Sequence, residues 1–249
     1  MSLLSEAKKG RDIHDLLRGY SPPTLEELRK SARTSTPIIE QNLKVFEPCL
    51  EADLGLGDVR AIAEKGARTL TPHEINLFLQ SSIKYDDNRW YAGAMGVFIS
   101  VLMKKSYEAG YTKFALNVDN FTSRLDNLWS ERDYPGIHLM VKGNLGDYFG
   151  SFARKSYLYI KGDVDDYPSG NAENCTFVFD GNVREFYVHT HPNQYIFHGE
   201  VGKMGSVNEK WSTFKTSNNR TLQQLMSLVG QKNEIYFIHK DGTEKLVRT

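Results

Sequence analysis

Apolar residues recur at helical spacing over the first part of the chain, up to about residue 112. After Thr36-Pro37, the residues Ile39, Leu43 and Phe46 would share one face of a helix. A second helix is predicted to begin at Thr71-Pro72-His73-Glu74, because a threonine followed three residues later by a glutamate forms a capping box. The residues at helical spacing behind this box are Ile75, Phe78, Leu79, Ser82 and Ile83.

A nearly all-apolar segment follows and predicts the central helix of a bundle. Its longest apolar run, residues 90–103, is shorter than the roughly 20 residues that a membrane-spanning helix needs. Gly93 and Gly96 would allow neighbouring backbones to approach this helix closely. The lone GxG element in Gly55-Leu56-Gly57-Asp58 indicates a turn and a helix cap rather than a cofactor-binding loop.

From about residue 113 the apolar residues alternate as in strands, and a repeat then begins at Leu139. The glycines Gly143, Gly162, Gly181 and Gly199 mark the repeat, with steps of 19, 19 and 18 residues. Alternate residues of a strand point to the same side, so columns two and four residues before each glycine and two residues after it would share one face. These columns are apolar throughout: Leu139, Leu158, Phe177 and Tyr195; Val141, Ile160, Phe179 and Phe197; Leu145, Val164, Val183 and Val201.

Columns that recur once per repeat predict a short parallel β-solenoid of about four coils, with an apolar interior and coils about 4.8 Å apart. The chirality of crossovers between parallel strands favours right-handed winding. Each glycine would mark a corner, because glycine tolerates conformations that other residues resist.

The segment Gly143-Asn144-Leu145-Gly146-Asp147-Tyr148-Phe149-Gly150 has the form GxxGxxxG. With this repeat length it resembles the GXGXG-type β-helix of the glutamate synthase large subunit and of a formylmethanofuran dehydrogenase subunit. The whole chain also resembles uncharacterised archaeal proteins that carry such repeats. In those enzymes the module is a scaffold without catalytic residues, so the resemblance implies a fold and transfers little function. Asp165 and Arg184 stand where the pattern has its second glycine, and Val188 where it has its third.

The predicted fold class is therefore α+β. The expected divisions are a helical arm over residues 1–34, an α-helical domain over 35–112, the solenoid over 113–216 and a C-terminal cap over 217–249. In the cap, Thr216-Ser217-Asn218-Asn219 would start a helix that runs to Val229. Residues 233–248 read as a hairpin around Lys240-Asp241-Gly242-Thr243.

One column on the outer face of the solenoid is unexpectedly apolar, which makes it the candidate interaction face: Met140, Tyr159, Val178 and Ile196. A solvated face should be polar, so either the helices of this chain or a partner should cover the column. The partner could be another protein or a second copy. The arm, with Leu3, Leu4, Ile13, Leu16 and Leu17, is a terminal helix docked on the chain or a segment that binds another chain.

The segment His189-Thr190-His191-Pro192 repeats the HTHP motif of JAMM-type metalloproteases, in which two histidines hold zinc. The Ser-x-x-Asp element of those enzymes does not follow, and a hydrolytic zinc normally takes three protein ligands. A solvated corner of the third coil is therefore favoured over a metal site. His198 would lie one coil from Asp180 and could pair with it. Cys175 fills a repeat slot thirteen residues after its glycine, together with Ser156, Gln194 and Ser212.

Composition further restricts the classes of function and the location that we expect. Basic and acidic residues number 31 each, so net charge gives no indication of nucleic-acid binding. The two cysteines are too few for a disulfide framework, and the first residues lack a secretory signal, so a cytoplasmic protein is expected. No cofactor is predicted. The residues favour a non-catalytic scaffold or interaction protein over an accessory subunit of a redox enzyme or a metal-dependent hydrolase.

Overall fold

A computed structural model describes residues 37–51, 53–187, 191–205, 211–228, 230 and 232–248. It confirms the predicted fold class: helices come first, a parallel β-solenoid follows, and a helix and an antiparallel hairpin end the chain. The arm predicted over residues 1–34 lies outside the described residues. The boundaries proposed for the other divisions stay a prediction, since one buried apolar cluster continues from the helices into the solenoid.

The helices occur where the capping and spacing patterns predict them. The capping box at Thr71 is formed: its Oγ1 accepts from the backbone N of Glu74 at 3.3 Å, and the Glu74 carboxylate accepts from the backbone N of Thr71 at 2.8 Å. A Cβ on Gly96 would overlap the backbone oxygen of Asp126, which confirms the close approach expected there. The helices are α1 (Pro37–Phe46), α2 (Leu56–Gly66), α3 (Pro72–Ser82) and α4 (Tyr91–Glu108), with 3₁₀ turns at Glu47–Leu50 and Ile83–Tyr85.

The strands form a long sheet and a short sheet, which are two sides of the same coils. In chain order they are β1 (Lys113–Asn117), β2 (His138–Lys142), β3 (Tyr157–Lys161), β4 (Val164–Asp166), β5 (Thr176–Phe179), β6 (Val183–Phe186), β7 (Gln194–Phe197), β8 (Val201–Met204), β9 (Thr213–Thr216), β10 (Glu234–Ile238) and β11 (Glu244–Arg248). The long sheet has the order β1-β2-β3-β5-β7-β9-β10-β11, and the short sheet β4-β6-β8. All paired strands are parallel except β10 and β11.

The inward columns stack in register, as the repeat predicts. Phe177 pairs with Tyr195, which pairs with Phe214, and their ring centroids are 5.6 and 5.3 Å apart. Phe179 and Phe197 stack in the same way at 5.4 Å. Burying each large apolar side chain contributes about 1.5–3 kcal/mol, and the ring contacts add about 0.5–1.5 kcal/mol each. The interior of the coils is therefore a main source of stability.

The solenoid has about five turns rather than four. Strand β1 pairs in register with β2, and Leu125 forms a bridge with Leu145. The region around Leu125 and Trp129, which precedes the start of the repeat at Leu139, is thus part of the first coil. It escapes the repeat pattern because no glycine marks its corner.

The first edge of the long sheet and the last strand of the short sheet are both covered. At the first edge, Asn76 of α3 donates to the backbone oxygen of Ala115 at 2.5 Å and accepts from the backbone N of Asn117 at 3.0 Å. Gln80 donates to the backbone oxygen of Asn117 at 3.0 Å, so amide side chains act as the missing neighbouring strand. At the far end, helix α5 (Asn219–Leu228) covers β8, and Thr221 Oγ1 accepts from the backbone N of Val201 at 3.1 Å. The hairpin of β10 and β11 extends the long sheet.

Candidate interaction surfaces of the solenoid

The four repeat glycines lie at the corner between the long and the short sheet. Gly143 has a φ of +111°, which fits the conformational reason predicted for all four. That reason is wrong for Gly162, Gly181 and Gly199, which have no positive φ. An added Cβ on each of them would lie well under 3.0 Å from the carbonyl oxygen of the glycine one coil earlier. Close stacking of the backbones therefore requires glycine at these three corners.

A row of polar side chains directly after the glycines ties the coils together, and the sequence reasoning missed it. Asn144 accepts from the backbone N of Asp163 at 2.8 Å, and Asp163 accepts from the backbone N of Asn182 at 2.7 Å. Asn182 continues the row by accepting from the backbone N of Glu200 at 2.9 Å. A hydrogen-bonding side chain one residue after every repeat glycine is the signal that could have revealed it.

We define the short-sheet face as the outer surface of β4, β6 and β8 with the corners beside it. Two departures from the glycine pattern, Asp165 and Arg184, lie on this face. At Gly146, a Cβ would overlap the carboxylate of Asp126 and lie 2.9 Å from the backbone oxygen of Arg124, so a larger residue would displace both. In the next two coils Asp165 and Arg184 take the corresponding position. The side chain of Arg184 is 60% exposed, whereas that of Asp165 is 18% exposed and lies beneath two arginines.

Charges on the short-sheet face are paired between coils. The guanidinium of Arg184 donates to both carboxylate oxygens of Asp166, at 2.7 and 2.8 Å, and to the carboxylate of Asp147 at 3.4 Å. Arg124 donates to Asp165 at 2.5 Å. The groups surround an open cleft of about 470 Å³ lined by Arg124, Asp163, Val164, Asp165, Asn182 and Arg184.

Three tyrosines stack beside these charges and form a second row on the short-sheet face. Tyr148 and Tyr167 have ring centroids 5.6 Å apart, and Tyr167 and Tyr187 are 5.3 Å apart. Tyr187 lies against Gly205, where any Cβ would overlap the ring. The negative charge of Glu185 raises the pKa of Tyr167 above its usual value. The column was missed because Tyr187 is shifted by one residue, its expected place being taken by the buried Phe186.

The predicted interaction face also forms a continuous row, which we call the outer ladder. It consists of Ala115, Met140, Tyr159, Val178 and Ile196, in register on neighbouring strands. Their exposed fractions are only 1–9%. Beside the ladder, Tyr159 donates to Asp180, and Asp180 lies 3.9 Å from the Nε2 atom of His198. That distance is consistent with the pair predicted from the repeat.

The two predicted metal ligands are described only in part. His189 lies outside the described residues, while the backbone oxygen of His191 accepts from Asn193 Nδ2 at 3.0 Å. Over the described ranges, no group of three His, Cys, Asp or Glu side chains could hold a metal ion. A metal site that uses His189 therefore stays a prediction.

Cys175 is a structural residue of the interior. Burial raises the pKa of its thiol to about 12, so the group is neutral at physiological pH. Its repeat slot needs one correction: Gln194 pairs with Thr176, and Asn193 lies next to Cys175, accepting from its backbone N at 2.9 Å. The coil from Gly181 to Gly199 has 18 residues instead of 19, and the missing residue lies before β7. The residue equivalent to Cys175 in this coil is therefore Asn193, one position before Gln194.

No protein-family model, curated protein or solved structure matches this chain. Kinship with the GXGXG-type β-helix proteins therefore stays a prediction, while the β-solenoid itself is established. In the part of the chain that the structure describes, no helix is long and apolar enough to cross a bilayer.

Proposed function

We propose that this protein is a non-catalytic scaffold that binds another protein through the short-sheet face. The observation that carries the proposal is the pair of partly exposed rows on that face, one of tyrosines and one of paired charges, both repeating once per coil. Tyrosine and arginine are enriched among the residues that dominate binding energies at protein interfaces. An ordered row of such side chains is a feature that a partner can recognise.

The solenoid also supports the proposal by holding these side chains in place before binding. Tyr167 contacts a tyrosine ring on each side, stacked on Tyr148 and tilted against Tyr187, and Arg184 is held by carboxylates from two coils. Ordering a long side chain at an interface costs about 0.5–1.5 kcal/mol, and a side chain that is already ordered avoids part of this cost. The mixed charges would favour a partner with a complementary pattern and would make association sensitive to salt.

Affinity purification with mass spectrometry tests this function. The tagged chain is expected to capture a reproducible protein from cells of its native source, and Arg184→Glu or Tyr167→Ser should reduce the recovery about ten-fold. Lys245→Glu, an exposed charge reversal on β11, is the matched control and should leave capture unchanged. Absence of any reproducible partner, or equal recovery with Arg184→Glu, would contradict the proposal.

The other functions suggested by the sequence remain hypotheses that the same preparations address. Capture of a flavin or iron–sulfur protein would favour an accessory subunit of a redox enzyme. Stoichiometric zinc, manganese or iron that is lost with His189→Ala and His191→Ala would favour a metal-dependent hydrolase. Light scattering over a range of concentrations would show whether the partner is a second copy. Fractionation would test the expected cytoplasmic location.

A further inference from the structure

The outer ladder is buried although it lies on the outside of the solenoid. Its side chains point away from the interior, opposite to the inward columns of the same strands, and an uncovered column of this kind would face water. Val178, at the middle of the ladder, is 1% exposed. Among the described residues, the partly buried apolar side chains that pack against the ladder are Tyr157 and Ile238. These two side chains cannot cover five strands.

The buried area has the shape of a narrow strip. From Ala115 to Ile196 it crosses five neighbouring strands, which is about 19 Å at the spacing of a sheet. His138 and Thr176, which lie two residues before their ladder positions on the strands, are also buried. Lys161, which lies two residues after Tyr159, is exposed. Burial is the first cause of the lowered pKa of His138, followed by the charge of Lys113. A strip one to two columns wide fits a single chain segment better than a folded partner.

The described helices do not account for this cover. Helix α3 meets the long sheet at its first strand, through Asn76 and Gln80, and α5 packs against β8, β9 and β10 at the far end. Apart from residues 1–36, each stretch outside the described ranges is at most five residues long. Such stretches are too short to cross and cover the strip.

We propose that residues 1–36 of the same chain dock on the outer ladder. This segment carries Ile13, Leu16 and Leu17 at spacings of three and four residues, which can present one apolar face. Pro37 lies twenty positions after Leu17. A chain segment of that length can reach roughly 66 Å when extended. A compact chain of this size has a radius of gyration of about 18 Å, so a tether of this length can reach most of the surface. The proposal does not depend on the short-sheet face or its partner.

The alkylation rate of a thiol introduced by Val178→Cys tests the docking in the full chain, with labelling at each position followed by mass spectrometry. Ile13→Ser, Leu16→Ser and Leu17→Ser together should increase the rate at position 178 about ten-fold or more, because the cover opens more often. The matched control is Asp12→Ser, Asp15→Ser and Arg18→Ser, which should leave the rate unchanged. Native Cys175, buried inside the coils, should stay protected in both proteins.

Three outcomes would overturn the proposal: a reactive thiol at position 178 before any change in the segment, protection that persists in the triple apolar variant, or protection that disappears on dilution. The last would identify a second copy as the cover. If the triple variant also exposes Cys175, a photo-crosslinking phenylalanine analogue in place of Tyr159 decides the question. It should crosslink to a peptide from residues 1–36 of the same chain, and a crosslink to any other segment would contradict the docking.

Discussion

Replacing Gly181 by alanine should strongly destabilise the solenoid. The new Cβ would lie well under 3.0 Å from the carbonyl oxygen and the carbonyl carbon of Gly162 and from the backbone N of Asp163. All three are backbone atoms of the preceding coil, so no side chain can rotate away, and the two coils must separate locally. Overpacking typically costs about 1–3 kcal/mol. Because the contact is with backbone on a stacked coil, we expect about 3 kcal/mol.

Gly57→Ala provides a matched control, because the same substitution should have the opposite sign. Gly57 lies in the first turn of α2, and an added Cβ meets nothing within 4 Å. Removing the conformational freedom of a helical glycine stabilises by about 0.5–1 kcal/mol. Urea unfolding followed by tryptophan fluorescence and by circular dichroism gives both values, and agreement of the two probes checks that the transition is cooperative. A loss below about 0.5 kcal/mol for Gly181→Ala would refute the close stacking of the coils.

Two further predictions concern the first sheet edge and the buried thiol. Asn76→Ala removes the partners of the Ala115 carbonyl and the Asn117 N–H, so the free energy of unfolding should fall by about 2–4 kcal/mol. His73→Ala, at an exposed position on the same helix, should change it by less than about 0.5 kcal/mol, and a similar value for Asn76→Ala would show that the edge needs no amide. Cys175 should react with iodoacetamide at pH 8 about a thousand-fold more slowly in the folded than in the unfolded chain, since its pKa of about 12 compares with about 8.5 when unfolded. Between pH 9 and 10 the folded state keeps a proton that the unfolded state has released, so the free energy of unfolding should fall by about 1 kcal/mol per pH unit. Cys175→Ser should remove that contribution, and an unchanged pH dependence would contradict it.

The sequence predicts most of the coil architecture because the repeat is carried by residues that perform the same task in each coil. Val141, Ile160, Phe179 and Phe197 all occupy one inward column, and their spacing survives the shortened third step. Helix starts such as Thr71 can be predicted equally well from the sequence, because capping depends only on residues that are close along the chain. The first coil was missed since its corner is formed by residues around Leu125 without a marker glycine.

The candidate surfaces were less predictable, because they depend on distances between coils rather than on spacing along the chain. Arg184 is only a departure from a glycine pattern until the structure brings Asp147, Asp165 and Asp166 around it. The tyrosine row is hidden by the one-residue shift at Tyr187. The outer ladder could be predicted as a row, but its burial could not, since covering it requires an element that the repeat does not contain.

Nuclear Overhauser contacts between methyl groups test the stacked solenoid most directly. In a methyl-labelled sample the column two residues after the glycines should give cross-peaks between Leu145 and Val164, between Val164 and Val183, and between Val183 and Val201, as the strand register requires. These side chains are buried and one coil apart, so each should contact its neighbours and no other member of the column. Absence of the contacts between consecutive members would show that the coils are not stacked in this register.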